Sequence, residues 1–387
     1  MKNLAIITTH PIQYYAPLFR LLHQRGKVNI KVFYTWGEEA KGKIFDPGFG
    51  AIRSWDIPLL EGYSYEFVKN VSKSPGSSHF GGIVNPDIIE RIKVFNADAL
   101  LVFGWAFNSH LKVVRHFKGN IPVYFRGDST LLDEAHGFSL KKYARRLFLR
   151  WVYRNIDKAF YVGTNNKAYY KAHGLKEQQL VYAPHAIDND RFDDKDGKYN
   201  GAAIQWKKEM NISDNAMVVL FAGKLEGKKN PLFLIEASKL LRQFHFIIIG
   251  NGILEDEIKQ QAINLKNVTV MPFQNQSMMP IVYRLADIFV LPSHGPGETW
   301  GLALNEAMAC EIIVVASNKC GGAIDLISEG KNGFIISPNC KAFIYALEKI
   351  SHDEMLIASG GKMSKEIIRQ FSFSHIATEI ENQLVHS

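Results

Sequence analysis

The feature that most constrains this chain is an alternation that runs from end to end. Short apolar runs of strand length are separated by stretches with helical spacing. In the first half the runs are 4–9, 28–34, 99–103, 123–125, 159–163 and 180–183. In the second half they are 218–222, 246–250, 268–271, 288–291, 312–316 and 333–336. Most are unbroken rather than alternating, as expected for strands buried on both faces of a parallel sheet. The helical stretches between them, such as 231–243 and 254–264, make these doubly wound α/β units. The polar segment 188–200, DNDRFDDKDGKYN, has about six runs on each side and reads as a domain linker. An α/β fold of two Rossmann-like domains facing a cleft follows, with ligands expected beyond the carboxyl ends of the strands. Region 36–85, rich in Gly, Ser, Pro and aromatics, breaks the pattern and is expected to be a long functional loop.

The bulk properties exclude several classes. With 387 residues, 47% hydrophobic and 22% charged, the chain suits two ordinary globular domains. No apolar run approaches the ~20 residues of a membrane span, and the start MKNLAIITTHPIQ lacks a signal-peptide pattern. A cytoplasmic protein, with a possible peripheral position at the inner face of the plasma membrane, is the expectation. Cys310, Cys320 and Cys340 have no metal-ligand spacing and are expected as small core residues. Residues 1–195 hold 28 Lys+Arg against 18 Asp+Glu, a balance of +10. The remainder holds 18 against 20, or −2. A basic half of this kind either meets an anionic partner or is solvated surface. No nucleic-acid-binding signature accompanies it, so nucleic acid is not an expected partner.

The densest chemistry lies in 291–310, LPSHGPGETWGLALNEAMAC. An apolar strand ends at Ser293, and a glycine loop through Gly297 allows close backbone approach to a ligand. A helical pattern then starts near Thr299. Its first free amides, Thr299, Trp300, Gly301 and Leu302, would favour a phosphate. On that helix the neighbours of Glu306 at three and four residues are Leu302, Ala303, Ala309 and Cys310, so this carboxylate sits on the buried face. It needs a partner there: either a vicinal diol such as a ribose, or an internal Lys or Arg. A second motif, 218–231, ends a strand at Gly223 and follows it with Lys224 and Lys229. These cations are placed to hold a departing diphosphate, although the P-loop spacing is absent.

The string 298–309, ETWGLALNEAMA, resembles the Glu, seven residues, Glu signature of family-4 retaining glycosyltransferases. The supporting pieces stand in that family's order: Gly223-Lys224-Leu225 with Lys229-Asn230, Gly250-Asn251-Gly252, 286–293, 321–333, the connector 182–192, and the start 9–15. The likeness covers nearly the whole chain and is strongest over 217–336. It implies the GT-B architecture. Residues 1–190 would form an acceptor-binding domain and 191–365 a nucleotide-sugar-binding domain. A terminal helix over 366–387 would pack back on the first domain. It further implies that Glu306 binds the donor ribose and Glu298 the sugar hydroxyls. Lys224 and Lys229 would take the leaving diphosphate, and the base would lie against Phe273 and Gln274. A UDP- or GDP-sugar would be the co-substrate, with neither metal nor other cofactor, and the acceptor a glycan or lipid-linked glycan of bacterial surface polysaccharide. Lys224 stands where Arg is common. The chain also reads Phe125-Arg126-Gly127-Asp128 where relatives often carry His, which leaves Arg126, Asp128 and His10 as amino-terminal candidates; His10 is equally readable as a helix-start residue before Pro11.

Two other readings compete with this one. A dinucleotide-dependent oxidoreductase needs GxGxxG, and Gly250-Asn251-Gly252-Ile253-Leu254-Glu255 lacks the third Gly. A non-catalytic paralogue is opposed by the intact Glu298, Glu306, Lys224 and Lys229 set. Asp188-Asn189-Asp190 imitates a metal-binding DxD string but reads as connector. Finally, 139–155 is a helix with the apolar stripe Leu140, Tyr143, Ala144, Leu147, Phe148, Trp151 and Val152 beside a cluster of Lys and Arg. Either that stripe faces the core and the basic side faces water, or the helix meets an anionic membrane.

Overall fold

The structure is a computed structural model that describes residues 1–36, 44–46, 51–53, 56–134, 137 and 139–385, with 44–46 and 51–53 as backbone alone. The chain forms two compact units. Unit 1 comprises 1–42, 58–185 and 373–387; unit 2 comprises 43–57 and 186–372. Parts of the predicted 36–85 loop, at 37–43, 47–50 and 54–55, lie outside the described residues.

Fifteen strands are described. In unit 1, β1 (Lys2–Thr8), β2 (Val28–Tyr34), β5 (Tyr65–Phe67), β6 (Ala99–Phe103), β7 (Val123–Arg126), β8 (Lys158–Tyr161) and β9 (Leu180–Tyr182) form one sheet. Between β2 and β5 in the chain, β3 (Ile44–Asp46) and β4 (Ala51–Arg53) make a separate antiparallel pair. In unit 2, β10 (Met217–Ala222), β11 (Phe244–Ile249), β12 (Val268–Met271), β13 (Ile288–Leu291), β14 (Ile313–Ser317) and β15 (Gly333–Ile336) form the second. The orders are β5-β2-β1-β6-β7-β8-β9 and β12-β11-β10-β13-β14-β15, and every pairing within both sheets is parallel. The apolar runs predict this, because helices on both faces leave no strand face for water. In β6, β11, β13 and β14 every residue is buried.

The first strand of each unit lies mid-sheet, and the chain winds outward to one side and then the other. Each sheet therefore has a switch point where ligands bind in doubly wound folds. In unit 1 it falls between the ends of β1 and β6, beside Thr9-His10 and Gly104-Trp105. In unit 2 it falls between β10 and β13, beside Gly223-Lys224 and Pro292-Ser293.

Three sequence expectations differ from the structure. Segment 188–200 is not a linker but a folded part of unit 2. It carries the helix Asn189–Phe192, with Phe192 fully buried. Arg191 holds Gln276 at 2.6 and 2.7 Å, and Asp194 accepts from the Tyr199 and Asn200 amides that open the helix Lys198–Glu209. Local polarity hid these tertiary bonds. The DxD-like triplet is spent in the same way: Asp188 caps its helix and Asn189 donates to the Phe371 carbonyl at 3.1 Å. The strand β5 is not legible in the sequence, because three residues within an aromatic run carry no period of their own.

The third difference is the basic helix, Leu140–Tyr153. Leu149, Val152 and Tyr153 anchor it to the unit 1 core, whereas Leu140 is 77%, Tyr143 57%, Leu147 47% and Phe148 44% exposed. Of the seven-residue stripe expected to share one face, Val152 alone is buried. Among the described residues no helix is long and apolar enough to cross a membrane. At the chain's end, the helix Phe373–Val385 buries Ile376, Ala377, Ile380 and Leu384 and packs on the helix Ala16–Arg25. Arg25 binds Ser374 and Thr378 and pairs with Glu381 at 3.3 Å.

Candidate active site

In unit 2 the turn after β10 is held by the turn after β11. The Gly223 amide donates to Ile249, and the Leu225 amide to Asn251. The Asn251 side chain accepts from the Phe273 amide at 2.8 Å and donates to Glu255 at 2.8 Å. Gly252 lies so close to the Leu225 backbone that an added Cβ would sit 2.9 Å from the Leu225 amide nitrogen. Gly-Asn-Gly is thus a packing turn that supports Gly223 and Lys224, not a dinucleotide fingerprint. It also occupies the Phe273 amide expected at the base, and the Gln274 side chain donates to the Pro272 carbonyl.

The lysine motif meets the glutamate motif at the mouth of β10 and β13. Lys229 forms an ion pair with Glu298, and Ser293, two residues after β13, donates to the same Glu298 oxygen at 2.9 Å. The pair is mostly shielded, with 23% and 10% of the two side chains exposed. The Glu298 and Trp300 carbonyls accept from the Gly321 and Gly322 amides, and the Trp300 indole donates to Asn305 at 2.9 Å. Gly297 and Gly301 both have positive φ, at 91° and 94°. At Gly301 a Cβ would come 2.5 Å from Cys320 Sγ and 2.8 Å from Leu291, so only glycine fits this turn. The helix starts at Leu302, with Gly301 as its N-cap, and not near Thr299. Thr299, Trp300 and Gly301 lie in the preceding turn, and the helix's own first amide is that of Leu302.

Glu306 is 3% exposed on this helix, as its apolar neighbours require. The Tyr283 hydroxyl donates to its Oε2 at 2.7 Å. The adjacent Arg284 binds the Phe192 and Pro280 carbonyls, Cys310 Sγ at 3.2 Å and Asp194 at 3.7 Å. The sequence does not single out Tyr283 and Ser293. A tyrosine in a short helix and a serine after a strand carry no local signal of the carboxylates they meet. Burial pushes the Cys310 thiol up to about 12 and the Cys340 thiol to about 11, and raises Cys320 as well.

At the carboxyl edge of the unit 1 sheet, the three amino-terminal candidates differ. Arg126 ends β7 and is 2% exposed, donating to the Ala183 and Pro184 carbonyls at 2.8 and 2.9 Å. It braces the chain after β9. Asp128 is 43% exposed and lies 3.7 Å from the buried His185. Burial lowers the His185 pKa, opposed by the nearby Asp128 carboxylate. His10 is in the loop before the helix Ala16–Arg25, so it is not a helix-start residue. Its ring contacts Trp36 edge-on at 5.3 Å and Thr9 Oγ1 at 3.0 Å, and burial lowers its pKa. Tyr15, whose hydroxyl is pushed up to about 12 by burial and then by Asp128, completes this group.

Comparison with known proteins agrees with this layout. Residues 203–370 match the family model described as glycosyl transferases group 1. The chain is 25% identical over 281 residues to an Escherichia coli UDP-Gal:alpha-D-GlcNAc-diphosphoundecaprenol alpha-1,3-galactosyltransferase, covering 66% of this chain and 68% of that enzyme. It is 26% identical over 239 residues to a Campylobacter jejuni alpha-1,4-N-acetyl-D-galactosaminyltransferase whose named acceptor is a GalNAc-containing diNAcBac-PP-undecaprenol. That match covers 60% of this chain and 61% of that enzyme. Among solved structures, Anabaena HepE in complex with UDP and glucose superposes with a TM-score of 0.71 at 18% identity over 100% of both chains. WaaG, a glycosyltransferase involved in lipopolysaccharide biosynthesis, does so with a TM-score of 0.66 at 14% identity over 98% of both. Two parallel Rossmann-type sheets that superpose on these structures give the chain the GT-B fold, and its carboxyl-terminal part, residues 203–370, is similar to the glycosyl transferases of group 1.

Proposed function

We propose that this chain is a family-4 retaining hexosyltransferase that works without a metal. It takes a sugar from a UDP- or GDP-sugar and adds it to a glycan or lipid-linked acceptor in bacterial surface polysaccharide assembly, at the inner face of the plasma membrane. The observation that carries this reading is the meeting of Lys229, Glu298 and Ser293 beside the Gly301–Leu302 turn at the switch point of the unit 2 sheet. Cations, glycine turns and a carboxylate converge there on one small region, which suits a sugar diphosphate. The named acceptors of the Escherichia coli and Campylobacter enzymes support a lipid-linked acceptor, and the UDP and glucose in the HepE complex support the donor class.

In this reading Glu306 grips the ribose diol, with Tyr283 holding its carboxylate in place. Glu298 reads the sugar hydroxyls. Lys224, Lys229 and the amides from Thr299 to Leu302 surround the diphosphate, with Gly223 and Gly297 giving the backbone room to approach. The base lies against Phe273 and Gln274. As the anomeric C–O bond breaks, its electron pair passes to the diphosphate oxygen, and fixed positive charge there lowers the barrier. The acceptor is assigned to the carboxyl edge of the unit 1 sheet, where Asp128 and His10 offer polar groups and Arg126 braces the backbone.

Thermal unfolding in a panel of UDP-, GDP- and ADP-sugars tests the donor. One nucleotide class stabilises the wild type by about 2.7 kcal/mol at a hundredfold excess over Kd, and Glu306→Ala removes most of that shift. No shift with any class defeats the proposal. Undiminished release of nucleoside diphosphate after chelation of divalent ions is expected; a requirement for added metal would remove the metal-independent part.

A further inference from the structure

Residues 69–85 form a closed loop of unit 1 that the donor assignments leave unused. Strand β5 runs parallel to β2, so the loop leaves the sheet at its carboxyl edge. Asn85, 2% exposed, closes it by donating to the Val68 and Lys69 carbonyls at 2.8 and 3.0 Å and to the Thr35 carbonyl at 3.0 Å. Inside the loop, Asn70 donates to the Gly82 carbonyl at 2.8 Å and accepts from the Ser72 and Val84 amides at 3.1 and 2.9 Å. Ser72 Oγ donates to the Gly81 carbonyl at 2.7 Å, and the Gly76 amide to the Gly82 carbonyl at 3.1 Å. A Cβ on Gly82 would stand 2.0 Å from the Gly76 carbonyl oxygen, so the two limbs meet backbone to backbone. Polar bonds rather than apolar burial hold this shape, since Val71 and Phe80 are 48% and 46% exposed.

A strand-to-helix connection in such a fold needs only about 2–6 residues, and a longer loop with closed ends is commonly functional. The chemistry of this one is one-sided. From Phe67 to Pro86 the sequence holds Lys69, Lys73 and His79 and neither Asp nor Glu. All three are exposed, as are Ser74, Ser77 and Ser78. Among the described residues neither lysine has an ion pair. Ammonium groups and hydroxyls with no competing anion suit the oxygens of a phosphate. Position supplies the context. Thr35, which receives Asn85, follows β2 and donates through its amide and its hydroxyl to the Thr8 carbonyl at the end of β1. The next amide, that of Trp36, donates to Thr9, and the Trp36 ring meets His10. The base of the loop therefore adjoins the switch point of the unit 1 sheet, on the edge to which the acceptor is assigned.

We infer that loop 69–85 is an oxyanion site that holds the diphosphate linkage of a lipid-linked acceptor, with Lys69 and Lys73 on the phosphate oxygens and the hydroxyls of Ser74, Ser77 and Ser78 beside them. A glycan joined to a lipid through a diphosphate carries fixed negative charge at one end. A cationic loop beside the switch point takes that end and so directs the other toward the reaction; a neutral glycan gives these lysines nothing to hold. They bind and orient, and no bond is made or broken at them. The choice of a lipid-linked diphosphate as occupant rests on the proposed function, whereas the oxyanion site rests on the loop alone.

Hydrogen exchange of the full-length protein, followed by mass spectrometry over peptides from 69–85, tests the inference with geranyl diphosphate as the probe. Geranyl diphosphate slows exchange in this loop, and geraniol at the same concentration does not. Lys69→Gln with Lys73→Gln, both at exposed positions, raises the concentration needed about tenfold. Absence of protection in the wild type, equal protection by geraniol, or an unchanged response in the double variant overturns the inference. Inorganic phosphate and phosphatidylglycerol vesicles distinguish the sources of the anion: protection by either that matches geranyl diphosphate assigns the loop to free phosphate or to lipid headgroups and removes the acceptor diphosphate. Thermal shift with nucleotide-sugars, run on the same samples, shows that the double variant is folded and separates the two readings. Loop protection without any nucleotide shift sinks the donor assignment alone, and a nucleotide shift without loop protection sinks the oxyanion site alone.

Discussion

Lys229 and Glu298 neutralise one another in the structure, although each is assigned a different part of the donor. A diphosphate must therefore take Lys229 from Glu298, and a sugar then finds that carboxylate released. Glu298→Gln frees the lysine in advance. The variant is expected to bind the nucleoside diphosphate a few times more tightly while transfer falls by about 10²-fold; calorimetry with UDP or GDP and a transfer assay check both halves. Lys229→Ala loses both, product affinity and about 10²–10³-fold in rate. His110 offers a test of a different kind. It is fully buried, with Nδ1 against the Phe103 and Gly104 carbonyls, so that nitrogen carries the proton, and Nε2 lies 2.9 Å from Thr35 Oγ1. Burial lowers its pKa to about 4 despite these carbonyl bonds. Between about pH 4 and 6.5 the unfolded chain binds the extra proton and the folded chain does not. Stability is then complete above 6.5 and falls as pH drops toward 4, by about 3 kcal/mol for this group alone. Urea unfolding at neutral and acid pH should show a smaller loss in His110→Gln than in the wild type.

At the level of elements, unbroken apolar runs marked most strands of both parallel sheets within one or two residues, because burial on both faces leaves a period-free signature. The switch-point turns are equally legible, since Gly223-Lys224 and Pro292-Ser293 follow directly on such runs. What the residues did not disclose is side-chain pairing across elements. Ser293 with Glu298, Tyr283 with Glu306 and Arg126 with the Ala183 carbonyl join positions set by the sheet order, not by spacing. The helix Leu140–Tyr153 shows the limit of periodicity more sharply: two apolar rows on one helix give a clear stripe, and nothing local says which row meets the core. The start of the helix Leu302–Ala309 was misplaced by about three residues because the turn at Gly301 is left-handed. That turn is testable. Gly301→Ala meets both a positive φ and Cys320 Sγ, and is expected to cost about 1–3 kcal/mol with loss of the nucleotide-sugar shift. Gly227→Ala, where a Cβ meets nothing within 4 Å and φ is not in the left-handed range, serves as the control.

On the scale of the whole molecule, unit 1 is assembled from both ends of the chain. The helix Phe373–Val385 leaves unit 2 behind and buries Ile376, Ala377, Ile380 and Leu384 in unit 1. Glu381, 5% exposed, receives Arg25 at 3.3 Å and Lys27 at 3.2 Å, and Tyr124 in β7 donates to the Gln383 carbonyl at 2.9 Å. Removing this helix exposes four apolar side chains' worth of core, each contributing about 1.5–3 kcal/mol of burial, against a typical domain stability of only 5–15 kcal/mol. A chain ending at Ser372 is therefore expected to lose unit 1 as a cooperative fold while unit 2, whose own core runs through Val219, Phe246, Val290 and Val315, remains folded. Two-probe unfolding checks this. Hydrogen exchange in the truncated chain should show protection retained over β10, β11, β13 and β14 and lost over β1, β6 and β7, with the nucleotide-sugar shift preserved because every assigned donor residue lies in unit 2. Equal loss of protection in both sheets would mean that the units do not fold on separate cores. Arg25→Ala, which removes the ties to Ser374, Thr378 and Glu381 and leaves the helix in place, should act in the same direction at smaller scale. About 1–3 kcal/mol is expected from leaving the buried Glu381 with the more exposed Lys27 as its remaining cation, confined to the unit 1 transition.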